Sequence, residues 1–341
     1  MNNRLVRTGL RPLLGVAALT LVAPLLAACG SDEPTLVIYN AQHEPLLKEL
    51  APEFTKETGI EVELRNGKDL EMSNQIIAEG KASPADVFLT ENSPAMSQVE
   101  AAGLFDELPN DILDVIPEQY RPHSGLWTGF VARSTVLVYN TDQVQESQLP
   151  ASLLDLAKPE WQGRISFSPT GADFQAIVAA VLELEGEEAT KAWLEGIKAN
   201  GKVYDGNNLV LEAVNSGEVE VGIVYHYYWE RDRKENGDVS DHSAQHYFTG
   251  GDPGAFVSVS GAGVLKSSDM KSEAREFVKF LVDRKGQQIL ADSYALEYPL
   301  NPEVQLEGVT QQFSQLQPPQ VNVSDLDAKK VVDLLEEVGF L

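Results

Sequence analysis

The sequence predicts an α/β protein of two lobes, each lobe a mixed sheet flanked by helices, with hinge strands between the lobes. Strands alternate with helices over residues 35–90, which favours parallel strands joined by right-handed crossovers. The chain of 341 residues exceeds one ordinary core and suits two lobes of about 100 to 200 residues each. Two long strand-like stretches, Thr128–Asn140 and Gly254–Leu265, are suited to crossing between lobes. We therefore expect a first lobe of residues 35–130 plus 258–302, a second lobe of residues 131–257, and a C-terminal segment of residues 303–341 with a closing helix.

The first lobe begins with a β-α-β-α-β pattern. Pro45 opens its first helix, since proline is tolerated in a first helical turn, and Gly59 lies beyond the end of that helix. The other elements follow from apolar β-branched runs and from helical periodicity. We predict strands at Thr35–Tyr39, Ile60–Leu64 and Ala85–Thr90, and a second helix at Asp69–Glu79 that Gly80 ends.

After Thr128–Asn140 the alternation resumes. The run VEVGIV before the pair Tyr227 and Tyr228 has the β-branched character of a buried strand, and it follows the turn signal Asn215-Ser216-Gly217. We predict the tyrosines to lie at the carboxyl end of this strand. The remaining predicted elements are strands at Gly163–Ser168 and Lys202–Tyr204, and helices at Asp173–Leu184, Leu209–Val214, Glu273–Leu290 and Asp325–Val338.

The first 28 residues have the pattern of an export signal. Three arginines precede the apolar run Pro12–Leu26, and Leu-Ala-Ala-Cys closes the segment. This closing motif resembles a bacterial lipobox, in which Cys29 becomes the lipid-modified first residue of the mature protein. Cys29 is the only cysteine of the chain, so no structural disulfide within the chain is expected. An uncleaved transmembrane anchor is the alternative interpretation, and either one exports the remaining residues.

The charge balance excludes one class of partner. The formal net charge is −26, and clustered Lys and Arg are needed to neutralise phosphates, so we expect no binding to nucleic acid. Such a field attracts cations without choosing among them. We also find no Gly-x-Ser-x-Gly elbow, Walker loop or His-Glu-x-x-His motif, and therefore expect no enzymatic activity.

Polar side chains follow the carboxyl ends of several predicted strands. His43 follows the first strand, Glu91 follows the third, and Tyr227 and Tyr228 follow the strand of the second lobe. Ligands of α/β proteins bind outside the carboxyl ends of parallel strands, so we expect these side chains to share one edge of the cleft. Taken singly, each has an ordinary interpretation: a loop histidine, a solvated carboxylate, or packed aromatic rings.

This combination of donors favours a hard, highly charged cation. The set offers imidazole nitrogen, carboxylate oxygen and phenolate oxygen but no thiolate, which disfavours copper(I) and zinc-thiolate sites. Two phenolates and one carboxylate balance a trivalent ion. Phenols have an ordinary pKa of about 10, so ligation requires a cation strong enough to displace their protons. Ferric iron fits best.

A second element of the same cleft is the small-residue loop at Thr170, Gly171 and Ala172. Backbone N–H groups at the start of the following helix, together with the Thr170 hydroxyl, form a predicted anion site aided by the helix dipole. An anion there would occupy the remaining positions on the metal. Simple N-capping of the helix by Thr170 is the alternative.

These motifs together resemble the bacterial ferric-iron-binding proteins, the substrate-binding components of ABC iron importers, whose ligand set is related to that of transferrins. The motifs that carry the resemblance are YNAQHE, PADVFLTE, SPTGA, YDGNN, the YYW element, DPGAFVSVSGAGVLK and EYPL. The resemblance covers essentially the whole mature chain. It implies a type II periplasmic-binding-protein fold that captures Fe(3+) between two lobes.

The resemblance also assigns residues. The metal ligands of the family fall on His43, Glu91, Tyr227 and Tyr228, and its anion loop falls on residues 170–172 with Asn207 as a further polar partner. Members with a bound phosphate or carbonate tend to have asparagines just before the tyrosine pair, where this chain has Tyr225 and His226. We favour the anion-assisted arrangement, with these two residues as neighbours that alter it.

The resemblance further implies the setting of the protein. We expect a monomer that is exported, lipid-anchored on the extracellular face or in a periplasm, and docked on a membrane permease with its cytoplasmic ATPase. The alternative is a binding protein of the same fold for an organic or oxyanion solute, such as a polyamine, thiamine or sulfate.

Overall fold

The computed structural model describes residues 35–341, without the side chains of residues 238 and 239. The predicted signal segment of residues 1–28 and the predicted lipidation site Cys29 lie outside the described residues. Within the described part, no helix combines the length and apolar character that a membrane span requires.

The strands form one continuous mixed sheet flanked by helices. The predicted α/β class with mixed strands is confirmed, whereas a separate sheet had been predicted for each lobe. In chain order they are β1 (Leu36–Asn40), β2 (Val62–Asn66), β3 (Val87–Leu89), β4 (Thr128–Asn140), β5 (Ile165–Phe167), β6 (Gly201–Val203), β7 (Val221–Tyr225), β8 (Ser243–His246), β9 (Val257–Val264) and β10 (Tyr298–Pro299). Their order across the sheet is β2-β1-β3-β9-β4-β7-β5-β6, and β8 and β10 also pair with β4.

The helices connect and cover these strands. They are α1 (Glu44–Thr58), α2 (Asp69–Glu79), α3 (Ser93–Ala101), α4 (Asn110–Leu113), α5 (Ala172–Asn200), α6 (Asn207–Asn215), α7 (His226–Ser240), α8 (Lys271–Val282), α9 (Arg284–Asp292) and α10 (Ala328–Val338). The predicted bounds of α2 are confirmed.

Strand β4 joins two groups of strands. Its first half pairs with β9, from Thr128 to Ser134, and its second half pairs with β7, from Thr135 to Tyr139. All of its residues are buried, including the charged side chain of Arg133. The predicted bounds of this strand are confirmed, whereas the residue boundaries of the two lobes stay a prediction.

Two predicted helices differ from the structure by more than three residues or by a break. The helix predicted at Asp173–Leu184 runs on to Asn200, interrupted at Gly186, whose φ of 80° lies in the left-handed region that glycine adopts readily. The helix predicted at Glu273–Leu290 is two helices, α8 and α9, with extended backbone at Asp283. Gly286 permits this break, because a Cβ atom there would overlap the carbonyl oxygen of Phe280.

Candidate metal centre

His43 and Glu91 lie side by side at the carboxyl ends of neighbouring strands. His43 directly precedes α1 in the loop after β1, and Glu91 follows β3, which pairs with β1 in parallel. The imidazole Nε2 atom is 3.3 Å from Oε1 of Glu91. The prediction that these side chains share one edge is confirmed.

Tyr227 and Tyr228 reach the same place from the other side of β4. They lie in the first turn of α7, which begins at His226 directly after β7, so they follow the carboxyl end of the strand as predicted and belong to the helix that comes after it. Their two rings are stacked, with centroids 4.2 Å apart and planes at 29°. The Tyr227 hydroxyl donates to Oε1 of Glu91 at 3.4 Å.

The structure therefore brings the four predicted donors together. The Tyr227 ring centroid is 5.6 Å from that of His43, and the Glu91 carboxylate lies within hydrogen-bonding distance of both side chains. Within residues 35–341, no three His, Cys, Asp or Glu side chains are grouped so that they could hold a metal ion.

Asp173 is a site residue that the sequence reasoning missed. Its carboxylate lies in the first turn of α5 and is almost fully buried. Oδ2 accepts hydrogen bonds from the Tyr228 hydroxyl at 3.0 Å and from Nδ2 of Asn207 at 2.8 Å, and Oδ1 accepts from Nδ2 of Asn92 at 3.1 Å. The available signal was an acidic residue in the first turn after the predicted anion loop, and we interpreted that residue only as the start of a helix.

The predicted anion loop adjoins this carboxylate. Gly171 is the N-cap residue of α5 and no side chain caps the helix there, so the alternative of capping by Thr170 is not observed. Thr170 is exposed, and Gly171 and Ala172 are half-buried. Asn207, predicted as a polar partner of the anion, instead donates to Asp173. The anion site stays a prediction, and a protein carboxylate lies beside it.

Tyr225 and His226 have different surroundings from one another. The Tyr225 hydroxyl lies 3.3 Å from Oδ1 of Asn92 and 3.2 Å from the carbonyl oxygen of Asp173 and can donate to either, which places it beside Asp173. The His226 ring is turned toward β4 and β10, where Nδ1 accepts from the Ser134 backbone N–H at 3.2 Å and the ring stacks on Tyr298 at 4.1 Å. Burial lowers the pKa of His226 to about 3, so this imidazole is neutral at physiological pH.

A buried ion pair lies behind His43. Nη2 of Arg133 is 2.7 Å from Oε2 of Glu297, and both side chains are fully buried. Oε1 of Glu297 is 2.9 Å from Nδ1 of His43. Sequence reasoning identified neither residue, although an arginine within the apolar stretch TGFVARSTVLVYN requires a buried acidic partner.

The electrostatics of the site favour the protonated forms of its two phenols and its imidazole in the absence of a cation. Burial and the Asp173 carboxylate raise the pKa of Tyr227 and Tyr228 well above the ordinary phenol value. For His43, burial acts to lower the pKa, but the hydrogen bonds and charges of Glu297 and Glu91 outweigh it and raise the pKa to about 10. Burial and the Glu91 charge raise the pKa of Asp173 to about 7. A cation that binds here must displace several protons.

One cationic side chain covers the tyrosine pair. The guanidinium carbon of Arg231 lies 4.6 Å from the Tyr227 ring centroid and 5.3 Å from that of Tyr228. A cavity of about 550 Å³ opens beside Arg231 and Tyr228 and extends to Tyr294. Tyr228 therefore borders an open space, whereas Tyr227 is fully buried, and Arg231 lies against the faces of both rings.

Comparison with known proteins is consistent with this site. The sequence profile of the family described as bacterial extracellular solute-binding protein matches residues 82–320. The chain is 49% identical to an Fe(3+)-binding periplasmic protein of Serratia marcescens over 96% of this chain and 98% of that one. It is 37% identical to the major ferric iron-binding protein of Neisseria meningitidis over 98% of this chain and 99% of that one.

Among solved structures, the chain is similar to iron-bound HitA from Pseudomonas aeruginosa. The TM-score is 0.84 and the identity is 40%, with 89% of this chain and 99% of that one covered. The same polypeptide architecture therefore occurs in a protein that was crystallised with iron.

Proposed function

The chain belongs to the family of bacterial extracellular solute-binding proteins, and we propose that it captures ferric iron between two lobes and delivers it to an ABC permease. The observation that carries this proposal is the meeting of His43, Glu91, Tyr227 and Tyr228 at one point. Relatives that match nearly its whole length are named for binding ferric iron. Its fold is the type II periplasmic-binding-protein fold that was predicted.

The chemistry of these donors selects the ion. We propose His43 Nε2, a Glu91 carboxylate oxygen and the oxygens of Tyr227 and Tyr228 as the iron ligands. Once deprotonated, the two phenols and the carboxylate carry three negative charges, which match Fe(3+). A divalent ion gains less from the same charges and displaces phenol protons less readily.

Asp173 offers a further oxygen for the ion. Its carboxylate is 3.0 Å from the Tyr228 hydroxyl, so an ion bound to that oxygen would lie close to Asp173 as well. A phosphate or carbonate at Thr170, Gly171, Ala172 and Asn207 is the other proposed source of oxygen. Asp173 and an anion repel one another, so we propose that iron binds with one of the two at a time and that Asp173 reduces the need for an anion.

The setting of the protein follows from the family. An extracellular solute-binding protein functions with an ABC transporter, and we propose hinge closure of the two lobes as the motion that captures the ion. We further propose that residues 1–28 are an export signal, that Cys29 carries a lipid anchor, and that the mature protein is a monomer. No bond of a substrate is made or broken in this account.

Equilibrium dialysis of the purified full-length chain tests the proposal. Dialysis against ferric citrate should leave one iron per chain, and dialysis against zinc, spermidine, thiamine or sulfate should leave none at the same concentration. The competing interpretation, an organic or oxyanion solute, would gain support if one of those ligands were retained and iron were not.

A further inference from the structure

Glu297 is a buried carboxylate that is not one of the proposed iron ligands. Its side chain has no exposure to solvent, and burying a carboxylate is unfavourable unless it is paired and hydrogen-bonded. We infer that Glu297 is a positioning residue for iron capture, which fixes the orientation and tautomer of the His43 imidazole so that Nε2 is the metal-binding atom. This inference rests on the proposed function.

The two nitrogens of His43 face two different carboxylates. Nδ1 is 2.9 Å from Oε1 of Glu297, and Nε2 is 3.3 Å from Oε1 of Glu91. An ionised carboxylate only accepts hydrogen bonds. Nδ1 must therefore carry a hydrogen and donate it in a hydrogen bond to Glu297. Nδ1 has the shorter contact with a carboxylate, whereas Nε2 faces the proposed ligands Glu91 and Tyr227. The tautomer with its proton on Nδ1 therefore directs the Nε2 lone pair toward the proposed metal position.

Arg133 holds Glu297 in the required position. Nη2 of Arg133 donates to Oε2 of Glu297 at 2.7 Å and to the Ser260 hydroxyl at 2.6 Å. The other guanidinium nitrogen, Nη1, donates to the backbone carbonyl oxygen of Glu91. One guanidinium thus anchors both the residue that orients His43 and the backbone of the neighbouring proposed ligand.

The backbone next to Glu297 is strained, which supports a functional placement. Leu296 has a φ of 53°, and it is the non-glycine residue with positive φ in the described part of the chain. This conformation is unfavourable for a residue with a side chain. Tyr298, on the other side of Glu297, pairs with Ala132 of β4 beside Arg133. The strained residue Leu296 therefore lies in the segment that positions the Glu297 carboxylate beside Arg133 and His43.

The test is a double-mutant cycle on iron affinity in the full-length chain. Glu297→Gln is nearly isosteric, but an amide has one acceptor oxygen for two donors, so His43 and Arg133 cannot both keep their partner. We measure Fe(3+) affinity by competition with citrate for wild type, Glu297→Gln, His43→Ala and the double variant. Unfolding of the iron-free proteins by urea is measured alongside.

We expect Glu297→Gln to weaken iron binding by about 10- to 100-fold, as removal of a partner of a metal-bound histidine does. The phenolate-to-iron charge-transfer band should keep its position, because the tyrosines are unchanged. In the His43→Ala background the same substitution should change the affinity by less than about threefold, since its effect passes through His43.

The matched control is Asp86→Asn. Asp86 is a buried carboxylate that accepts from the Val37 backbone N–H at 2.8 Å and from the Ser268 hydroxyl at 2.6 Å, and it contacts none of the proposed ligands. It should lower stability while iron affinity stays within about threefold of wild type, as expected for a site without shared partners.

Three outcomes overturn the inference while the proposed function stands. These are an unchanged affinity in Glu297→Gln, an equal loss with and without His43, and a loss no larger than that of Asp86→Asn. If Glu297→Gln does not fold, Glu297→Asp keeps the charge beside Arg133 but is one methylene too short to reach both partners, and the same cycle is run with it. A wild-type chain that binds no iron would instead overturn the proposed function itself.

Discussion

The hydroxyl of Tyr228 donates a hydrogen bond to the Asp173 carboxylate at 3.0 Å, and the same carboxylate oxygen accepts from Asn207 at 2.8 Å. A carboxylate thus lies where an external anion was expected. Because Asp173 lies in the first turn of α5 and Tyr228 lies in the first turn of α7, the N-terminal turns of two helices meet at one oxygen atom. The iron-binding consequences of this contact can be measured.

Asp173→Asn should weaken iron binding in the absence of phosphate and carbonate. We expect a loss of about 10- to 100-fold, comparable to the removal of one charged partner. Asp269→Asn, at an exposed aspartate, is the control and should bind iron as wild type does. If added phosphate restores the affinity of Asp173→Asn, the anion takes the place of the carboxylate. Unchanged affinity without any anion would remove Asp173 from the donor set.

The same substitution should stabilise the iron-free protein at alkaline pH. Burial and the charge of Glu91 raise the pKa of Asp173 from 3.8 to about 7, so the folded state resists ionisation of this group. Its contribution to the free energy of unfolding is therefore largest below pH 4 and is lost as the pH rises to about 7. Asparagine does not ionise and avoids this loss.

Urea unfolding at pH 5 and pH 8 measures this effect. We expect Asp173→Asn to exceed wild type by more at pH 8 than at pH 5, with a gain of at least about 1 kcal/mol. A gain that is equal at the two pH values would mean that ionisation of Asp173 is not responsible. In that case, ionisation of the Asp173 carboxylate would not lower the stability of the iron-free protein at alkaline pH.

Iron capture should release protons. In the iron-free protein Tyr227 and Tyr228 are protonated because their pKa values are raised by burial, and His43 is an imidazolium because its pKa is about 10. A metal binds the deprotonated forms, so we expect about three protons per iron at pH 7. Apparent affinity should then fall about 1000-fold for each unit of acidification.

A pH-stat titration with ferric nitrilotriacetate counts these protons. Tyr227→Phe lacks one ionisable phenol and should release about one proton fewer than wild type, which cancels contributions from the iron chelate itself. Equal proton release by wild type and Tyr227→Phe would contradict ligation by the Tyr227 phenolate.

The export prediction is tested at its single cysteine. Cys29→Ser removes the thiol that a lipid would modify, and we expect the variant to leave the membrane fraction and to lose incorporation of an alkyne-labelled fatty acid. Iron binding by the released protein should be the same as before. A wild-type chain that is unlabelled and found in the soluble fraction would rule out the anchor.

Sequence alone predicted the donors of the candidate site but not the residues that hold them. Each proposed donor follows a strand that can be identified from the local sequence pattern of that strand. Parallel pairing of β1 and β3 then places His43 and Glu91 together. The bounds of β4 were also predictable, because a long β-branched run of buried residues has no competing helical period.

The supporting residues depend on contacts that no local pattern encodes. Glu297 is 254 residues from His43 in sequence, and Arg133 reaches Glu297 from the middle of β4. Asp173 was interpreted as part of an ordinary helix start because its partner Tyr228 is 55 residues away. Sequence can indicate that a buried arginine needs an acidic partner, but only the fold identifies which one.

The central claim is that Tyr227 and Tyr228 together bind ferric iron. An absorbance titration of the full-length chain with ferric citrate tests it most directly, beside Tyr227→Phe, Tyr228→Phe and the control Tyr139→Phe, whose ring is buried on β4. We predict a visible phenolate-to-iron band that saturates at one iron per wild-type chain, is retained in Tyr139→Phe, and is weakened or lost in each site variant. A wild-type protein with no band and no saturation would contradict the account and return the tyrosine pair to a packing role.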